Sequence, residues 1–147
     1  MEICSIGASG ISARDFFVRL KEHEITSIID TRVHASSQLA GFTRKESLSY
    51  FSETILKIEY IHELQLAPEA SMLKAYRNKS ITWDDYQDSY LKLLIARGVP
   101  GSIDIDRWGH RPALLCSESD AAFCHRRLAA EFISQSLGAQ ISEIRHL

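Results

Sequence analysis

Short apolar runs alternate along this chain with longer segments in which apolar residues recur every three or four positions. Ile3-Cys4-Ser5-Ile6 has the length and composition of a buried strand, and it stops at Gly7, with Gly10 closing the turn that follows. Ser12 and Asp15 then resemble a capping box, and Phe16, Phe17 and Leu20 draw one apolar helical stripe. Thr26-Ser27-Ile28-Ile29 predicts a second strand ending at Asp30. The polar segment 31–43 shows no period and is long enough for a functional loop. Leu48, Phe51, Ile55 and Leu56 predict a helix leading into a third strand near 58–61.

Pro68 and Glu69 suit a helix start before Met72, Leu73 and Tyr76. Thr82 with Asp85 repeats the capping-box pattern, and Tyr86, Tyr90, Leu93 and Leu94 follow at helical spacing until Gly98. The interval 98–111, with Pro100, Gly101 and Gly109, reads as a loop with short structure. Residues 113–115 predict a fourth strand, 120–137 a helix stopped by Gly138, and the weak alternation over 140–144 a last strand.

Strands alternating with helices predict an α/β fold: one domain over 1–147, built as a three-layer sandwich. Its sheet is mostly parallel, with about five strands and helices on both faces. Right-handed crossovers bring every strand's C-terminal end to one side of such a sheet, where ligands bind in a crevice. Gly7, Asp30, Arg32, His62, Cys116 and Glu118 are expected to gather there.

Composition narrows the function classes. A formal net charge of −2 gives no general cationic field for nucleic acid or anionic membrane, so a polyanion contact needs a local patch, at 107–111 or 125–127. Three cysteines without paired spacing argue against a disulfide framework and for a reducing, cytoplasmic setting. The first residues lack the features of a signal peptide, and no apolar run approaches the ~20 residues of a membrane span.

The densest chemistry lies in 116–127, where a predicted strand empties into a predicted helix through Cys116, Glu118, Cys124, His125, Arg126 and Arg127. Cys124 has the surroundings of a nucleophile if His125, Arg126 or a helix start lowers its pKa; Cys116 suits packing at a strand end. As zinc ligands the thiols lack C-x2-C spacing, and adjacent Cys124 and His125 rarely hold one ion, so no metal site is assigned. Glu118 suits acid/base work or helix capping. Asp30 and Arg32, two apart on an extended segment, project to one side, either as base and anion clamp or as an internal ion pair. His62 at a strand end suits proton transfer or a structural hydrogen bond. Ser37, in the long loop, offers a hydroxyl to a phosphate, and Arg77 a guanidinium beside an aromatic series (Tyr76, Trp83, Tyr86, Tyr90) whose spacing also fits a core stripe.

The ordered set Ser5-Ile6-Gly7 with Ser9, Asp30-x-Arg32, Ser37, Phe42, Tyr60-x-His62, Leu66, Tyr76-Arg77, Leu114-Leu115-Cys116-x-Glu118 and Cys124-His125-Arg126 resembles the bacterial and archaeal family called domain of unknown function 488. The resemblance covers nearly the whole chain and implies a compact α/β domain; it brings no established activity. Val33, Ala35 and Ala67-Pro68 stand where that family tends to have serine, proline and a glycine pair.

The expectation is a small intracellular enzyme acting on a phosphorylated, nucleotide-like or nucleic-acid substrate. Asp30, His62, Glu118, Cys124 and His125 supply the catalytic groups, and Arg32, Ser37, Arg77 and Arg126 the anion contacts. A non-catalytic nucleotide- or nucleic-acid-binding module and a thiol- or metal-dependent regulator are the alternatives. Cofactor, substrate identity and oligomeric state stay open at this point.

Overall fold

The computed structural model describes residues 1–36 and 41–147. Five strands, β1 (Glu2–Gly7), β2 (Ser27–Asp30), β3 (Glu59–His62), β4 (Pro112–Cys116) and β5 (Glu143–His146), form one sheet in the order β3-β2-β4-β1-β5. Every pairing is parallel. The α-helices are α1 (Ala13–Glu22), α2 (Lys45–Phe51), α3 (Ala70–Arg77), α4 (Trp83–Ala96) and α5 (His125–Leu137). The architecture is the expected α/β sandwich.

Period-two alternation divides each central strand between two cores. Cys4 and Ile6, Ile28, and Ala113 and Leu115 face Phe16, Phe17 and Leu20 of α1 and Leu48 of α2. Ile3, Ile29 and Leu114 face Tyr86, Tyr90 and Leu94 of α4 and Leu128, Ala129 and Ile133 of α5. Parallel strands covered on both faces explain why β1, β2 and β4 are buried almost throughout.

The last strand, expected over 140–144, is β5 at Glu143–His146, and two helix boundaries also differ from the sequence expectation. The helix expected from 48 to 56 is α2 followed by a π-helical turn, Ser52–Leu56, closed by Lys57 in the left-handed region (φ 58°). The helix expected from 120 begins only at His125. Asp120, where that helix is expected to start, instead accepts a hydrogen bond from the Ala122 amide at 2.8 Å, so its carboxylate closes a local turn and not a helix. Residues 117–124 are therefore a loop. Among the described residues, no helix is long and apolar enough to cross a membrane.

Candidate functional site

The C-terminal strand ends converge as the topology requires, but the sheet separates their side chains. Asp30 pairs in register with His62 and Leu115, so it shares the face covered by α1 and α2. There it is fully buried and bound on all sides. Arg32 donates from Nε to Oδ1 (2.9 Å) and from Nη2 to Oδ2 (2.6 Å), its amide caps Oδ1 (3.0 Å), and the Tyr60 hydroxyl donates to Oδ2 (2.5 Å). The same Arg32 Nη2 reaches the Thr43 carbonyl at 2.6 Å. Burial and the facing carboxylate push the Tyr60 phenol well up, which keeps it a hydrogen-bond donor. His62 donates from Nε2 to the Arg32 carbonyl at 2.9 Å. These residues anchor the long loop's entry and exit.

The opposite face carries the second group. Thr31 follows Ile29 in the alternation and meets α5. Nε2 of His125 lies 3.0 Å from the Thr31 carbonyl and 3.0 Å from its Oγ1, and that hydroxyl donates onward to the Leu115 carbonyl at 2.8 Å. A carbonyl can only accept, so Nε2 carries the proton. Nδ1 is left with its lone pair toward Cys116 Sγ, 3.8 Å away. Cys116, at the end of β4, and Cys124, at the N-terminus of α5, are both buried and unbridged. A hydrogen bond from the Cys124 thiol, the largest cause, holds the Cys116 thiol well below its usual range. The shared proton and burial push Cys124 up.

Arg126 stays inside the protein. Its guanidinium donates to the carbonyls of Glu118 and Ser119 (2.9 Å for the latter), to Ser5 Oγ (3.3 Å) and to Cys124 Sγ (3.5 Å). It pins the 117–124 loop against β1. Gly7 makes that approach possible, because a Cβ there would run into the Glu118 carbonyl oxygen.

A crevice of about 500 Å³ opens over this face. Cys116, Cys124 and His125 line it together with Tyr86, and Tyr76, Arg77, Glu118 and Phe123 form walls and rim. Arg77 and Glu118 approach to 3.7 Å with both side chains more than half exposed. Tyr76, Trp83 and Tyr86 are in ring contact with one another, and Phe123 meets Trp83 edge to face. The Tyr86 hydroxyl is buried without a hydrogen-bond partner among the described residues, which costs about 1–3 kcal/mol unless something else satisfies it.

The family model described as Domain of unknown function DUF488 matches residues 12–133. The chain belongs to this family. No curated protein matches it, and no solved structure does.

Of the residues expected at the site of this DUF488 protein, Glu118, Cys124, His125 and Arg77 line the crevice. Arg32 borders it, but its guanidinium is taken up by Asp30 and two carbonyls. Asp30 has no exposed surface, Arg126 serves the loop, and His62 borders a separate hollow with His34 and Lys45. Ser37 lies outside the described residues. Cys116 lines the crevice as its strand-end position predicts, although its sequence suits packing; Phe123 as the exposed aromatic and Thr31 as the anchor of His125 are not among the expected residues. Thr31 carries no signal in the sequence, whereas Phe123, an apolar side chain in a polar loop, does.

Proposed function

We propose that this crevice is the active site of a small cytoplasmic enzyme whose substrate is phosphorylated and nucleotide-like. Arg77 binds the anionic group, Tyr76 and Phe123 flank a planar one, and Glu118 transfers a proton to or from the reacting atoms. The observation that carries this reading is the Arg77–Glu118 pair at the rim of an aromatic-lined crevice of ligand size. An exposed pair of this kind is worth only about 0–1 kcal/mol, so a phosphate or carboxylate displaces Glu118 from Arg77 at little cost. The displaced carboxylate then stands beside the bound ligand, where general acid/base catalysis contributes roughly 10²–10⁴-fold in rate.

The earlier set of five catalytic residues contracts accordingly. Asp30 and His62 position the loop behind the crevice, and His125 and Cys124 make up its floor with Cys116. The test is product analysis on a panel of nucleotides and sugar phosphates. Glu118→Gln is expected to lower kcat by that factor with KM little changed, and Arg77→Ala to raise KM. Salt-dependent oligonucleotide binding with no turnover of any panel member would instead establish the binding-module alternative.

A further inference from the structure

The crevice floor holds three donors of the type that bind metals. Cys116 Sγ, Cys124 Sγ and a ring nitrogen of His125 all lie within 4.8 Å of one another, and all three residues are buried. Adjacency of Cys124 and His125 argued against shared ligation in the sequence. The fold removes that objection. Cys124 is extended (φ −130°, ψ 139°) as the residue before α5, and His125 begins the helix, so the chain bends between them and both side chains reach one point.

We infer that Cys116, Cys124 and His125 bind a thiophilic divalent cation, zinc before others, with its fourth coordination position open to the crevice. Around tetrahedral zinc, with bonds of about 2.3 Å to sulfur and 2.0 Å to nitrogen, neighbouring ligand atoms stand roughly 3.5–3.8 Å apart. Cys116 Sγ and His125 Nδ1 are already 3.8 Å apart. The other separations need to close by about 1.3 Å at most to reach that tetrahedral spacing.

Four features of the surroundings favour the ion. His125 gives its Nε2 proton to the Thr31 carbonyl, the outer-shell arrangement that aims the other nitrogen of a metal-bound imidazole. The Arg126 guanidinium lies 3.5 Å from Cys124 Sγ, which favours a thiolate at that sulfur. Two thiolates and a neutral imidazole sum with a divalent cation to zero charge, which a buried site requires. Finally, Tyr86 lines the same crevice, and its hydroxyl, unpartnered among the described residues, offers a donor for the group in the fourth position.

The inference deepens the proposed function and rests on the same crevice. A zinc ion with an open position lowers the pKa of its bound water to about 7 and makes a nucleophile in the space that Glu118 lines. Zinc binding is nevertheless measured without any substrate. Absence of turnover thus leaves the metal result standing, and absence of metal leaves the nucleotide result standing.

The experiment titrates untagged, metal-stripped protein with zinc against a chromophoric chelator and with cobalt by absorption spectroscopy. One equivalent of each per chain is expected, with a cobalt–thiolate charge-transfer band and tetrahedral d–d bands. Cys116→Ser, Cys124→Ser and His125→Gln should each weaken zinc by more than the roughly 10–100-fold that outer-shell changes cost. Cys4→Ser, in the core of the other face, should leave affinity unchanged. If the ligand variants fail to fold, the wild-type cobalt spectrum decides alone. Absence of the thiolate band, or zinc affinity retained by a folded ligand variant, overturns the inference.

Discussion

His125 donates its Nε2 proton to the main-chain carbonyl of Thr31 at 3.0 Å, which ties the end of β2 to the first turn of α5 across the crevice floor. This bond fixes the imidazole's tautomer and turns Nδ1 toward Cys116, so strand and helix jointly define the chemistry of the floor. Replacing His125 by Phe, of similar shape, should leave the Thr31 hydroxyl with its Leu115 partner but orphan its carbonyl. The expected loss is about 1–3 kcal/mol in urea unfolding, and an unchanged midpoint would contradict the assignment.

Asp30 and Arg32 predict a different outcome. Arg32→Met leaves a fully buried carboxylate with only the residue-32 amide and the Tyr60 hydroxyl as donors and no opposite charge, and breaking a buried pair from one side costs about 3–5 kcal/mol. Chemical denaturation should show that loss. A variant that keeps its stability and loses only ligand binding would place Arg32 in the site after all.

Gly7→Ala drives a Cβ against the Glu118 carbonyl and so moves the crevice wall. Overpacking of this kind costs about 1–3 kcal/mol. Amide shifts confined to residues around 117–119 are the expected signature, and shifts centred on α1 would argue for a different contact.

Tyr86→Phe removes a buried hydroxyl that has no partner among the described residues. The ligand-free protein should unfold at the same denaturant concentration or a higher one, because no satisfied hydrogen bond is lost. Zinc or nucleotide should then stabilise the variant less than wild type. A large destabilisation without ligand would show that the hydroxyl already has a partner.

Much of the fold was legible because apolar periodicity and punctuation agreed. Ile3–Ile6, Ile28–Ile29 and Ala113–Leu115 are short runs buried from both sides, and Thr82 with Asp85 forms the capping box that starts α4. The site was legible only in part. Topology correctly brought Asp30, His62 and Cys116 to the C-terminal edge, but a one-residue difference in register decides which face a side chain takes. Asp30 matches Leu115, not Cys116, so the ion pair lies on one side of the sheet and the thiols on the other. Asp120 misled for a local reason, since an Asp before a helix can cap it or close its own turn. Cys116 read as packing because nothing in its spacing to Cys124 shows that an eight-residue excursion folds back upon itself.

The central claim is that ligands bind in the crevice between Arg77, Glu118 and Phe123. It is tested most directly by a ¹⁵N–¹H correlation titration of the protein with a nucleoside monophosphate. The account predicts saturable shifts clustered on Tyr76, Arg77, Ser117, Glu118 and Phe123, abolished by Arg77→Ala in a protein that remains folded. Saturable shifts clustered instead around His34, Lys45 and His62, or none for any nucleotide tried, would contradict it.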